Sequence, residues 1–94
     1  VNEVTNAHMI AKGNVQGVGF RATAQQKAME IGVKGWVRNL PNGDVELEAE
    51  GTDRQVDQFI ETIRKGPHRF IKVENLDVER SQTDKGYGSF EVRY

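Results

Sequence analysis

Apolar residues recur along the 94-residue chain with two different periods, and the order of those periods predicts a fold. Over residues 7–13, Met9 and Ala11 alternate with Ile10 and Lys12, and both sets are partly apolar, as in a central strand. A loop with two glycines follows. Phe20, Ala24, Ala28 and Ile31 then fall on one helical face, with Gln25, Gln26 and Lys27 on the others, so a helix runs to about Ile31. Gly32 is suited to the left-handed residue that closes it. Residues 34–40 read as a second strand and Leu40-Pro41-Asn42-Gly43 as a turn. In residues 44–50, Val45, Leu47 and Ala49 alternate with Asp44, Glu46, Glu48 and Glu50, which predicts a strand with one buried and one solvated face. Thr52-Asp53-Arg54-Gln55 is a capping box, and Val56, Phe59, Ile60 and Ile63 mark one face of a helix over 53–65, ended by Gly66-Pro67. Residues 71–78 form a fourth strand. Its apolar parity shifts between Val73 and Leu76, which predicts a bulge. Phe90, Val92 and Tyr94 alternate in a last short strand.

The order β-α-β-β-α-β-β predicts an α+β ferredoxin-like βαββαβ sandwich: an antiparallel sheet, two helices on one face and an extra short C-terminal strand. The first two strands are joined through a helix, so they run parallel with a right-handed crossover. Their ends then share one sheet edge. The glycine loop and Asn39, near the end of the second strand, are therefore expected to meet there.

Composition narrows the function classes. The length suits a single domain over 1–94 with one two-layer core. There is no cysteine, so the core must hold the fold without disulfides and no thiolate chemistry is available. A cytoplasmic location is the expectation. The formal charge is −1, so no overall positive field favours a nucleic acid or an anionic membrane as partner. The apolar runs fall well short of a bilayer span. No metal or other cofactor is expected.

The chemistry lies in residues 15–21. Gly17 and Gly19 let the backbone curl so that amides of Val15, Gln16, Gly17, Val18, Gly19 and Phe20 converge on one concavity. The loop feeds a helix N-terminus, which favours an anion. Arg21 opens that helix, and its planar fork can grip two phosphate oxygens. On these features alone, a structural loop with a surface arginine is the first reading, because short glycine motifs match by chance, and Asn39 before Pro41 reads first as a turn residue.

The segment Gly13-Asn14-Val15-Gln16-Gly17-Val18-Gly19-Phe20-Arg21 resembles the acylphosphatase signature G-x-V-Q-G-V-x-F-R. Gly35-Trp36-Val37-Arg38-Asn39, followed by Asn42-Gly43-Asp44-Val45-Glu46, resembles the second block of that family. Gly51 before the second helix and the ending Phe90-Glu91-Val92-Arg93-Tyr94 are also similar. The likeness spans residues 7–94. It implies hydrolysis of the carboxyl–phosphate bond of acyl phosphates, with loop amides and Arg21 holding the phosphoryl group and Asn39 orienting the attacking water. A carboxylate leaves readily, so no general acid is required, and positioning with charge stabilisation suffices. Asn14 and Ala22 depart from the family pattern, where a basic and an aromatic residue are frequent. A related alternative is a domain that binds acyl or carbamoyl phosphate without turnover, as at the front of larger hydrogenase maturation proteins. The short chain leaves no room for their partner domains, and keeping both Arg21 and Asn39 favours a free-standing hydrolase.

Other features read as structural. His8 and His68 lack ligand spacing. Asp44, Glu46, Glu48 and Glu50 are expected to be a solvated strand face, and Trp36 a packing residue. Residues 85–90, Lys-Gly-Tyr-Gly-Ser-Phe, partly match an RNA-recognition motif. The match breaks at Ser89, and the segment lies at the wrong place in the fold.

Overall fold

The computed structural model describes residues 3–94. Its elements are β1 (Thr5–Asn14), α1 (Phe20–Ile31), β2 (Lys34–Asn39), β3 (Val45–Gly51), α2 (Asp53–Lys65), β4 (Lys72–Ser81) and β5 (Phe90–Arg93). The five strands form one sheet in the order β4-β1-β3-β2-β5. Helix α1 packs on β2, β5 and α2, and α2 packs on β1, β3 and β4, so both helices cover the same face. Between the layers lie Ala7, Met9 and Ala11 of β1, Val45, Leu47 and Ala49 of β3, Ala24 and Ala28 of α1, and Val56, Phe59 and Ile63 of α2, all fully buried. Alanines at facing positions let the helices approach the sheet closely, and Phe59 meets Phe90 edge to face at 5.6 Å.

Local signals hold where they were read. Gly32 adopts φ 99° and donates to the Ala28 carbonyl at the end of α1. The Thr52 hydroxyl accepts from the Gln55 amide at 3.2 Å, and the Gln55 side chain accepts from the Thr52 amide at 3.0 Å. The bulge is present: Lys12 pairs with Asn75 and Gly13 with Val73, which leaves Glu74 as the extra residue. It restores parity, so Val73 and Leu76 both pack toward the core.

Two expectations are corrected. The sheet is mixed, because β5 pairs parallel with β2. Residues 82–89 carry the chain back across the sheet, so β5 enters from the same end as β2. The acidic stripe, in turn, is only partly solvated. Glu48 and Glu50 are 3% and 5% exposed, because residues 82–89 run over the face without helices. Asn6 donates to both carboxylates, at 2.9 and 2.8 Å. The Lys85 ammonium lies 3.0 Å from Glu48 and its backbone amide donates to Glu50 at 2.8 Å. The Tyr87 hydroxyl donates to Glu48 at 2.8 Å and accepts from the Trp36 indole at 3.1 Å. Burial pushes the Glu48 carboxyl up, but hydrogen bonds from Asn6, Lys85 and Tyr87 outweigh it and hold the group below its ordinary value. The segment resembling an RNA-binding motif thus covers the sheet, and its Phe90 is buried in the core.

Candidate active site

Strands β1 and β2 both lie antiparallel to β3, on its two sides, so they point the same way and end at one edge. The loop between β1 and α1 begins at buried Val15 and ends at buried Phe20. Gly17 and Gly19 take φ 74° and 78°, and a Cβ at either would touch nothing within 4 Å. Glycine is required there by backbone conformation and not by space. Among the described residues, no loop or turn hydrogen bond between backbone groups is donated by residues 15–19. Gly19 caps α1 without a side-chain hydrogen bond, and no acidic residue stands in the first turn. Among the described residues, then, the positive end of the α1 dipole meets neither a capping side chain nor a first-turn carboxylate, and the loop amides have no backbone acceptor.

Gln16 holds this loop in place. Its side-chain amide donates to the carbonyls of Leu40 at 2.8 Å and Asp44 at 2.7 Å, which ties the loop to the turn between β2 and β3. From sequence, Gln16 is expected to contribute only its backbone amide. The tie spans 24 and 28 positions, so no local pattern signals it.

Arg21 is half-buried at the first turn of α1. Its Nη1 donates to the Arg93 carbonyl at 3.2 Å, and its guanidinium sits 4.5 Å from the centre of the Tyr94 ring. Asn39 is the last residue of β2 and is exposed. A cavity of about 330 Å³ brings them together, with Val15, Gly17, Gly19 and Phe20 on its wall. Gln16 and Val18 do not line it. Val92 and Tyr94 do, and sequence reasoning gave them no site role. Their alternation was legible, but the strand beside which β5 docks was not. Arg21 is the only charged side chain among the lining residues. Chemically, the cavity combines glycine-loop backbone, one guanidinium and one neutral amide: groups able to accept a small oxyanion and to hold a water beside it.

Comparison with known proteins shows the family. The acylphosphatase family model matches residues 7–92. The chain belongs to the acylphosphatase family. It is 46% identical over 83 residues to an acylphosphatase of Oceanobacillus iheyensis, covering 88% of this chain and 91% of that one. The crystal structure of acylphosphatase from Bacillus subtilis superposes with a TM-score of 0.91 at 36% identity, over 96% of this chain and 99% of that one. Full-length HypF in its phosphate- and nucleotide-bound form is also similar, with a TM-score of 0.86 at 25% identity, covering 100% of this chain but 12% of that one. In this member of the family, Val15, Gly17, Gly19, Arg21 and Asn39 line one cavity. Elsewhere in the described residues, no group of three or more His, Asp and Glu side chains is arranged to hold a metal ion. Among the described residues, no helix is long and apolar enough to cross a membrane.

Proposed function

We propose that this acylphosphatase cleaves acyl phosphates to a carboxylate and inorganic phosphate by the following division of labour. Amides of Val15, Gly17, Gly19 and Phe20, which line the cavity, and the Arg21 guanidinium hold the phosphoryl oxygens, while Gln16 anchors the loop. Asn39 orients a water in line with the carboxylate. The water oxygen attacks phosphorus, the bond from phosphorus to the carboxylate oxygen breaks, and the proton released by the water passes to a phosphate oxygen. The carboxylate departs with its electron pair, so no side-chain acid is needed. Catalysis then consists of alignment and of donors aimed at charge that develops on the phosphoryl group.

The observation that carries this reading is the joining of uncommitted loop amides, Arg21 and Asn39 around one cavity. The contact from the Arg93 carbonyl and the Tyr94 ring supports a fixed orientation for the arginine fork. The test is disappearance of benzoyl phosphate against a buffer blank, with inorganic phosphate as a competitive inhibitor. Hydrolysis no faster than the blank refutes the activity, and inhibition that is not competitive refutes the anion site. We further propose a monomer of the cytoplasm that takes a small-molecule substrate. Sedimentation equilibrium should return the chain mass of 10.6 kDa.

A further inference from the structure

The anion cavity accounts for the phosphoryl group of a substrate and leaves its acyl group unplaced. A groove of about 780 Å³ runs beside that cavity along α1 and β5. Gln25, Val92 and Tyr94 are walls of both, so the two form one continuous depression. The groove wall includes Val33 and Phe90, which are 2% and 5% exposed. On α1 stands Met29, 70% exposed between the polar Gln26 and Glu30. An unbranched thioether in that place offers soft apolar contact to a ligand of variable shape. Where the cavities join, the Gln25 amide donates to the Phe90 carbonyl at 3.0 Å, so backbone already occupies the polar group at the junction. Lys34 and Glu91, of opposite sign, also line the groove, so the apolar surface rather than net charge dominates its recognition.

From Arg21 to Gly32, helix α1 rises roughly 16 Å. An acetyl or carbamoyl group reaches only the start of that length. We propose that the groove is the acyl subsite and that the substrate class it selects is acyl phosphates with an extended apolar chain. This inference rests on the hydrolase reading above. Each methylene laid into the groove leaves water on one side only. It should contribute about twofold in kcat/KM, half on a logarithmic scale of the roughly fourfold expected for full burial.

The experiment compares acetyl phosphate with octanoyl phosphate, below the micellar range, in the wild type, Met29→Gln and Met29→Leu. The expected wild-type preference for octanoyl phosphate is about 60-fold in kcat/KM, from roughly six added methylenes. Met29→Gln should lower that preference about fivefold and leave acetyl phosphate turnover unchanged, whereas Met29→Leu should preserve it. Thermal unfolding checks that the fold survives, as an exposed position predicts. Equal kcat/KM for both substrates overturns the subsite while the hydrolase reading stands. Hydrolysis of neither overturns the hydrolase reading and the subsite with it. A chain-length preference that Met29→Gln leaves intact overturns the location.

Discussion

Two irregular segments of this protein treat their polar groups in opposite ways. Residues 82–89 cross the face of the sheet without helices and commit them: Lys85 and Tyr87 both bond to Glu48, and the Lys85 amide bonds to Glu50. Among the described residues, no buried side-chain nitrogen or oxygen lacks a partner. Residues 15–19 do the reverse. Their shape is fixed from outside, by Gln16 on the neighbouring turn and by buried Val15 and Phe20, while their amides donate to no backbone carbonyl in the loop. Each segment holds two glycines, at 17 and 19 and at 86 and 88, so glycine content does not separate them. What separates them is where the donors go. Donors spent on protein acceptors produce a structural cover, and donors held in place but unspent are what the proposed anion site requires.

The sharpest way to break this contrast is Arg21→Ala. Removing the one charged group of the cavity should lower kcat/KM by roughly 10²–10³ or more, about 3–4 kcal/mol of transition-state stabilisation, with little change in Tm. Arg21→Lys should also be poor, because a point charge does not replace the fork. Full activity in folded Arg21→Ala protein ends the assignment. Asn39→Ala should lower kcat by about 10²-fold and leave competitive inhibition by phosphate nearly unchanged, the pattern of an interaction made mainly in the transition state. Lost phosphate affinity with kcat preserved would make Asn39 a binding residue instead.

Across the sheet, Glu48→Ala should invert that pattern. It removes the acceptor of one Asn6 amide hydrogen and of the Tyr87 hydroxyl hydrogen, while Asn6 keeps Glu50 and Tyr87 keeps Trp36, and should cost about 2–4 kcal/mol of stability in urea unfolding. Activity per folded molecule should fall far less than in Arg21→Ala. A comparable loss of activity would show that the cover is part of the site. Gly19→Ala joins both effects on a smaller scale. Its left-handed backbone should cost about 1 kcal/mol, and the misaimed amides should weaken phosphate inhibition. Unchanged inhibition would mean that this amide does not face the anion.

The smallest effect is a pH dependence. Because the fold holds Glu48 below its ordinary value, the stability it contributes is present above that value, about 4.3, and is lost as pH falls through the lower folded value. Glu48→Gln should therefore unfold with a shallower acid limb than the wild type below about pH 4.3. The limb should not vanish, since Glu46 and Asp53 are also held low by their partners. Identical acid limbs would mean that the cover does not stabilise the ionised carboxylate.

Much of this molecule is determined by residues close to one another in the chain. The periods of two and 3.6, the capping box at Thr52, the terminating Gly32 and the parity shift around Glu74 each follow from neighbours, because backbone sterics and helix or strand pitch act over a few residues. Connectivity then brought the glycine loop and Asn39 to one edge, since strands joined through a helix must point the same way. Tertiary structure alone decided the rest. Whether Glu48 and Glu50 face water depends on residues 82–89, more than 30 positions away and without periodicity of their own. The direction of β5, the tie from Gln16, the placing of Val92 and Tyr94 on the cavity and the groove beside Met29 likewise arise where distant segments meet. Alternation states that a side chain has two possible faces. Only the packed chain states what covers each of them, because burial is a property of everything that arrives there and not of the strand itself.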